Sequence, residues 1–171
     1  MDTRVALDLD VFSRLVRALS WAGGADPDAE SVAATRIYFY LTKPLLTPTV
    51  VGEIEQRNDP LEIVWRNHHF GEIAEPDDFY RGCVKGMSER YVDYHPDPRD
   101  CHLVAEAECA KVEALLTLNR ELIRGMHGRA EVIGIMQPSA YWQRMQLTRG
   151  APRRIEPSPE SPLAGAQWWR W

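Results

Sequence analysis

The stretch Val5-Ala6-Leu7-Asp8-Leu9-Asp10-Val11-Phe12, "VALDLDVF", sets the frame for the rest of the chain. Val5 to Leu7 are apolar on both faces of an extended backbone, the pattern of a strand buried within a parallel sheet. After Asp10, the residues Val11, Phe12, Leu15, Val16 and Leu19 recur at helical spacing, so the strand passes almost directly into a helix. Two carboxylates stand at that joint. Either they work together as nucleophile and acid, or one is a metal ligand and the other a helix cap. Asp10, immediately before the predicted helix, has a good N-cap position. Asp8 reads equally as a strand-end carboxylate bonded to turn amides.

Working outward, a second helix is expected with Asp26 as cap and Pro27 in its first position, running towards Tyr40. Within it "RIYFYL" (36–41) reads alternatively as strand. "PLLTP" (44–48) is a short strand, after which Thr47 caps a helix opening at Pro48 and ending at Asn58-Asp59-Pro60. Residues 61–70 and 76–91 read as helices, the latter opening with Pro76-Asp77-Asp78. "HPDPRD" (95–100) is a turn, followed by a helix with Leu103, Val104, Ala107 and Ala110 on one face. "ALLTL" (114–118) is a strand, a short helix starts at Arg120, "EVIGI" (131–135) is a strand, and a last helix lies around Ala140 to Met145. Strands alternating with helices predict an α/β fold, a central parallel sheet covered on both faces. Ligands of such sheets gather beyond the carboxyl ends of the strands, where Asp8, Thr47 and Thr117 to Asn119 all fall.

The predicted domain spans 1–147. From 148 to 171 the composition shifts to a Pro-rich tail that reads as an extended or disordered linker and ends in Trp168, Trp169 and Trp171. Tryptophans are costly to leave in water, so this terminus is expected to dock on the domain, on a dimer mate or on another partner.

At 171 residues, with 44% hydrophobic and 26% charged residues, the chain has the make-up of one ordinary globular domain. A net charge of -5 excludes a generally basic nucleic-acid binder, so any polyanion would be held locally, with metal ions shielding carboxylates. No leader pattern and no apolar run of membrane length is present, and a cytoplasmic, membrane-free protein is expected. The three cysteines, Cys83, Cys101 and Cys109, show no CxxC spacing. Neither a disulfide framework nor a zinc site is therefore expected, which fits a reducing cytoplasm.

Several polar residues stand out. Asp100 lies about 60° around its helix from Leu103, at the edge of the apolar face, where a lone carboxylate needs a cation or several donors. It reads equally as a carboxylate favoured by the helix N-terminus, with Asp97 as the cap. Glu53 and Glu55 both flank the Val50/Val51/Ile54 stripe, and spacing does not choose between them. Asn119 fits as a cap for the helix that follows. His95 and His102 flank Asp100 and read as surface residues. Arg99 reads as a phosphate contact or as a solvated side chain. Arg149, Arg153 and Arg154 form a short basic run that is either solvated or available to RNA.

"VALDLDVF" is similar to the first motif of haloacid-dehalogenase-type phosphatases. That family needs a second acidic pair at a strand end near the carboxyl end of the domain, and after "ALLTL" come Asn119 and Glu121 instead. The phosphatase reading is rejected. The succession Asp8, Glu53, "HPDPRDCHLVAEAE" (95–108) and "ALLTLNREL" (114–122) resembles the PIN-domain ribonucleases, which include toxins of bacterial toxin–antitoxin pairs. The resemblance covers roughly residues 4–145, and its specific part is the second half. It implies a three-layer α/β/α domain and a metal-dependent endoribonuclease using Mg2+ or Mn2+, with RNA as substrate, an antitoxin as partner and a homodimer as one assembly. By the same resemblance Asp8, Glu53 and Asp100 are the acids and metal ligands. Thr117 is the supporting hydroxyl, and Asn119 stands where the family has its fourth acid. Asp10 falls where the family often has Asn, which favours its reading as a cap. The departure at Asn119 leaves a second expectation, a weakened module that binds RNA or a partner without cutting.

Overall fold

The computed structural model of the chain describes residues 4–73, 78–130 and 133–171. Its first strand, β1 (Val5–Leu7), is fully buried and hands over at Asp8 to helix α1 (Leu9–Leu19). A second helix, α2 (Ala29–Arg36), runs on into a π-helical turn at Ile37–Leu41. Then follow β2 (Leu45–Leu46), α3 (Pro48–Arg57), α4 (Pro60–His69), β3 (Gly71–Glu72), α5 (Asp78–Tyr91) and α6 (Pro98–Cys109). Strand β4 (Ala114–Leu116), helix α7 (Arg120–Met126), strand β5 (Gly134–Met136), helix α8 (Pro138–Arg144) and the single turn α9 (Pro162–Gly165) complete the order.

The five described strands form one parallel sheet in the order β3-β2-β1-β4-β5, flanked by helices as the three-layer α/β/α expectation required. β1 is central. Leu7 pairs with Leu46 on one side and Leu116 on the other, and the amide of Asp8 continues the ladder by donating to the Leu116 carbonyl at 2.9 Å. The chain leaves β1 towards β2 and returns on the other side as β4. The carboxyl ends of β1 and β4 therefore border the crevice where open α/β sheets place ligands.

Local chemistry accounts for most boundaries. The Thr47 hydroxyl caps α3 ahead of Pro48, and Asn58, in the left-handed conformation, ends that helix. Asp59 caps α4 and Asp97 caps α6, each again followed by Pro. Two expectations need correction, the cap of the second helix and the state of the cysteines. The helical reading of 36–41 holds over its strand alternative, and β3 is a strand the sequence did not mark. Helix α2 is capped by Asp28 and not by Asp26, because Asp28 is the extended residue whose Oδ1 reaches the Glu30 and Ser31 amides at 3.0 and 2.9 Å. "RIYFYL" is helical throughout, its backbone held by an Ile37 carbonyl that accepts from the Thr42 amide. Strand β3 has only two residues, too few for an alternation to register. Cys83 and Cys109 form a disulfide: α5 packs along α6 and brings the two Cα atoms, 26 positions apart in sequence, to 6.2 Å. The cysteine pattern thus no longer argues for a reducing compartment. Pro76 and Asp77 of the predicted helix, and Glu131 and Val132 of the predicted strand, lie outside the described residues. No described helix is long and apolar enough to cross a membrane.

The Pro-rich stretch is neither extended into solvent nor disordered. It folds back on the chain's own α2 and α8. Where the π-helical turn stops, the carbonyls of Tyr38 and Phe39 lose their helical donors, and the tail replaces them. Arg154 donates from its backbone to Phe39 at 2.7 Å and from its guanidinium to Tyr38 at 2.9 Å. Trp169 is wholly buried, stacked 4.4 Å from the Phe39 ring, with its indole N–H donated to the Leu163 carbonyl at 3.0 Å. Arg36 donates to the carbonyls of Trp169 and Arg170, each at 3.2 Å, and its guanidinium lies 4.9 Å from the Trp171 ring. The basic run is used here too: Arg149 lies over Trp171, and Arg153 pairs with Glu156 beside Trp169. Emptying a large aromatic site in a packed core costs about 3–5 kcal/mol. Trp169→Ala should lower stability by that amount in a urea titration, while Ala at the exposed Gln167 should change it by less than about 0.5 kcal/mol. Equal midpoints for the two variants would mean that the tail is not part of the folded unit.

Candidate active site

A cleft of about 400 Å³ opens at the carboxyl ends of β1 and β4, bordered by Asp8, Asp10, Glu53, Asp100 and Asn119, with Arg57 and Arg99 among the other lining residues. The acids come from three separate stretches: the β1–α1 joint, α3 and the first turn of α6. Helix α3 is held by a buried carboxylate from α6, because the Thr49 amide donates to both oxygens of Glu106 at 3.2 Å. An anion at a helix N-terminus is favoured by the unpaired amides and the dipole there. This contact fixes the relative position of the helices that carry Glu53 and Asp100.

Asp8, and not Asp10, caps α1. Its backbone is extended (φ −72°, ψ 158°), and its Oδ1 accepts from the Leu9 amide at 2.7 Å. The helix already includes Leu9, so Asp10 lies in its first turn, exposed on the cleft rim. The cap reading of Asp10 is overturned because a cap must have non-helical backbone. The second oxygen of Asp8 accepts from the buried Thr117 hydroxyl at 2.6 Å. Burial pushes the Asp8 carboxyl above its ordinary range, against the lowering influence of these two donors.

Asp100 is largely buried and is not a cap. Its Oδ2 accepts from Asn119 Nδ2 at 2.9 Å and faces His95 Nε2 at 2.8 Å. A carboxylate oxygen accepts, so the donor that completes this contact is an N–H at His95 Nε2. His95 is buried, contrary to the surface reading, and the Cys101 thiol donates to its carbonyl. The turn that holds it packs closely on α7, where a Cβ at Gly125 would lie 2.6 Å from the Tyr94 carbonyl oxygen. His102 is half exposed, 3.5 Å from Glu106.

Asn119 serves two elements at once. Its Oδ1 accepts from the Glu121 and Leu122 amides at 3.1 Å, capping α7, and this leaves the amide nitrogen to reach Asp100. Its own backbone amide donates to Thr117 Oγ1 at 3.0 Å. The cap reading therefore holds, and the same side chain borders the cleft with its oxygen engaged by α7.

Glu53 faces the cleft, while Glu55 points away to Arg66 at 2.9 Å. Glu53 pairs with Arg99 Nη1 at 2.5 Å. Burial raises its carboxyl, and Arg99 opposes that shift. Arg57 is anchored by Ser13 Oγ at 3.1 Å, which in turn donates to the buried Glu62.

All five expected residues, Asp8, Glu53, Asp100, Thr117 and Asn119, thus meet at or directly behind one cleft. Sequence reasoning missed His95 as the partner of Asp100 and Glu106 as the tie between α3 and α6. The apolar face of "HLVAEAE" hints at a buried glutamate, but nothing local marks His95. Among the described residues no three His, Cys, Asp or Glu side chains converge closely enough to enclose a cation by themselves.

Compared with known proteins, the chain matches no protein-family model and no curated protein. Among solved structures, the crystal structure of FitAcB from Neisseria gonorrhoeae aligns with 78% of this chain and 97% of that one, at 14% identity and a TM-score of 0.47.

Proposed function

We propose that this protein is a metal-dependent endoribonuclease that hydrolyses RNA phosphodiesters, acting as the toxin of a toxin–antitoxin pair. The observation that carries the reading is the convergence of Asp8, Glu53 and Asp100 on one open cleft at the carboxyl edge of the sheet, with Arg57 and Arg99 beside them. The toxin role and its antitoxin partner follow from the resemblance of the sequence to PIN-domain ribonucleases.

The donor set fits Mg2+ or Mn2+. Both are hard ions, and Mg2+ sites use one or two carboxylates, several waters and substrate phosphate in place of a closed protein cage. Such a site would not enclose the ion with three side chains, and the open cleft leaves room for the waters. Asp8 and Asp100 would hold the ion, and Glu53 would accept a hydrogen bond from a water at the site. When bound, the ion supplies water activation and neutralises charge on the phosphodiester oxygens. The rest is done by the chain. Thr117 keeps Asp8 in one orientation, and His95 and Asn119 do the same for Asp100. Arg99 is able to exchange Glu53 for a phosphate oxygen, since guanidinium groups match phosphate as well as carboxylate.

A second reading, an RNA- or partner-binding module without cleavage, draws on the Asn119 amide and on the ion pair that occupies Glu53. Incubating RNA with the wild type and Asp8→Asn, with Mn2+ or with EDTA, separates the two. Cleavage should require the ion and fall at least a hundredfold in Asp8→Asn, a loss of roughly 2.7 kcal/mol or more in transition-state stabilisation. RNA binding without any ion-dependent cleavage would favour the binding module.

Asp100→Asn should also abolish the rise in melting temperature on adding Mn2+, since ligands of the native state stabilise by mass action. An undiminished rise in that variant would remove Asp100 from the metal site.

The buried carboxyls make a pH prediction. Asp8 and Glu53 have raised values in the folded chain, so the folded state holds their protons to higher pH than the unfolded state does. The cost of ionising them is absent below the ordinary carboxylate range and develops as pH rises through the raised values. In EDTA at neutral pH, Asp8→Asn should therefore melt higher than the wild type, because the cost of a buried charge is gone while Asn keeps the Leu9 contact through its one oxygen and turns its amide nitrogen to Thr117 Oγ1, reversing that hydrogen bond. That advantage should shrink as the pH falls through the raised value and be gone below about 4, the ordinary Asp range. A lower melting temperature for Asp8→Asn at neutral pH would count against the buried-charge account.

A further inference from the structure

The two arginines of the cleft are held in opposite ways. Arg99 is exposed and spent on Glu53, at 2.5 Å. Arg57 forms no ion pair with a cleft acid among the described residues and is pinned from behind instead. Ser13 Oγ, on α1, accepts from Arg57 Nη1 at 3.1 Å and donates to Glu62 Oε1, on α4, at 2.5 Å. That carboxylate oxygen lies 3.8 Å from the same Arg57 nitrogen. Ser13 and Glu62 are both buried, and Glu62 Oε2 has no hydrogen-bond partner among the described residues. A carboxylate so placed needs a cation, and among the described residues Arg57 is the one within ion-pairing distance. The backbone holds the arrangement too. Arg57 ends α3, Asn58 turns the chain in the left-handed conformation, and Asp59 caps α4.

This support uses one edge of the guanidinium. The Nε and Nη2 donors have no hydrogen-bond partner among the described residues, and the side chain is 46% exposed at the cleft wall. A planar fork with one edge fixed and the other open suits two oxygens of a phosphate. Because the buried pair has already ordered the side chain, little freedom is left to lose on binding. We infer that Arg57 is a standing anchor for a phosphate of the RNA backbone, with Ser13 and Glu62 as the positioning residues behind it. The inference rests on the RNA-cleaving reading above and adds to it a substrate contact that involves no metal. Arg99, by contrast, has to release Glu53 before it can make such a contact.

The experiment measures binding of a fluorescein-labelled single-stranded RNA to the full-length chain by anisotropy, in EDTA and again in CaCl2, over a series of NaCl concentrations. Each phosphate contact to a single strand contributes about 0.7 to the slope of log Kd against log salt. Arg57→Gln should lower the slope by roughly that amount and weaken binding on the order of tenfold at low salt. Arg57→Lys keeps the charge and should keep the slope. Ser13→Ala loosens the guanidinium without removing its charge, so it should weaken binding less than Arg57→Gln does and leave the slope unmoved. Should Arg57→Gln fail to fold, the double variant Arg57→Gln, Glu62→Gln takes its place, since it leaves no unpaired buried charge. A wild-type slope in the Gln variant, whether its affinity falls or not, would overturn the anchor and leave the cleavage reading standing. No RNA bound by the wild type in either medium would overturn both.

Discussion

The Thr117 hydroxyl has one proton, and its donation to Asp8 at 2.6 Å organises the whole cleft. With its proton committed, the same oxygen can only accept, and it takes the Asn119 amide. That fixes the start of α7, so the Asn119 side chain caps the helix with its oxygen and offers its nitrogen to Asp100. His95 reaches the same Asp100 oxygen from the other side. One chain of hydrogen bonds thus ties the ends of β1 and β4 to α7, to α6 and to the turn before α6. Its anchor is set by strand register, since Leu7 and Leu116 are paired neighbours and the residues after them must lie side by side.

Acid chemistry at such a place works against stability. Asp8 and Glu53 are both pushed towards the neutral form by burial, and only specific partners keep their ionised forms available. For Asp8 the partners are a helix-end amide and a hydroxyl. For Glu53 the partner is the guanidinium of Arg99, an exposed side chain. Glu106 is a different case, a buried carboxylate spent on holding α3 to α6. The carboxylates at and behind the cleft thus differ in their partners: backbone amides and buried groups hold Asp8 and Glu106, and an exposed guanidinium holds Glu53.

The tail solves a second problem, at the other end of α2. A helix that ends in a π-turn and then meets Pro44 leaves carbonyls without donors, and the arginine-rich tail supplies them. The terminal tryptophans add apolar burial, and Arg36 answers with its guanidinium. Arginines that the sequence leaves as either solvated or available to RNA are the means by which the tail docks.

What the sequence by itself determined is what depends on neighbours along the chain. Apolar triplets mark β1 and β4, Thr47-Pro48 starts α3, and the alternation of strand and helix sets the α/β class. Asp8 and Asp100 stand out by their places at a strand end and a helix start, whereas Glu53 is separated from Glu55 only by the resemblance to PIN-domain ribonucleases. The boundary between Asp8 and Asp10 was misread because two acids two residues apart present the same composition to a cap rule, and only the backbone angle at Asp8 separates them. What tertiary structure alone decided involves partners far apart in sequence: Thr117 with Asp8 across 109 positions, the Asn119 amide with Asp100 across 19, and Arg36 with Trp169 across 133. The pairing of Cys83 with Cys109 belongs to the same class. The physical reason is that a side chain's hydrogen-bonding capacity is finite and is divided by whatever packing brings near. Sequence shows that Asn119 has an oxygen and an amide nitrogen to offer; the fold decides that the oxygen goes to α7 and the nitrogen to Asp100.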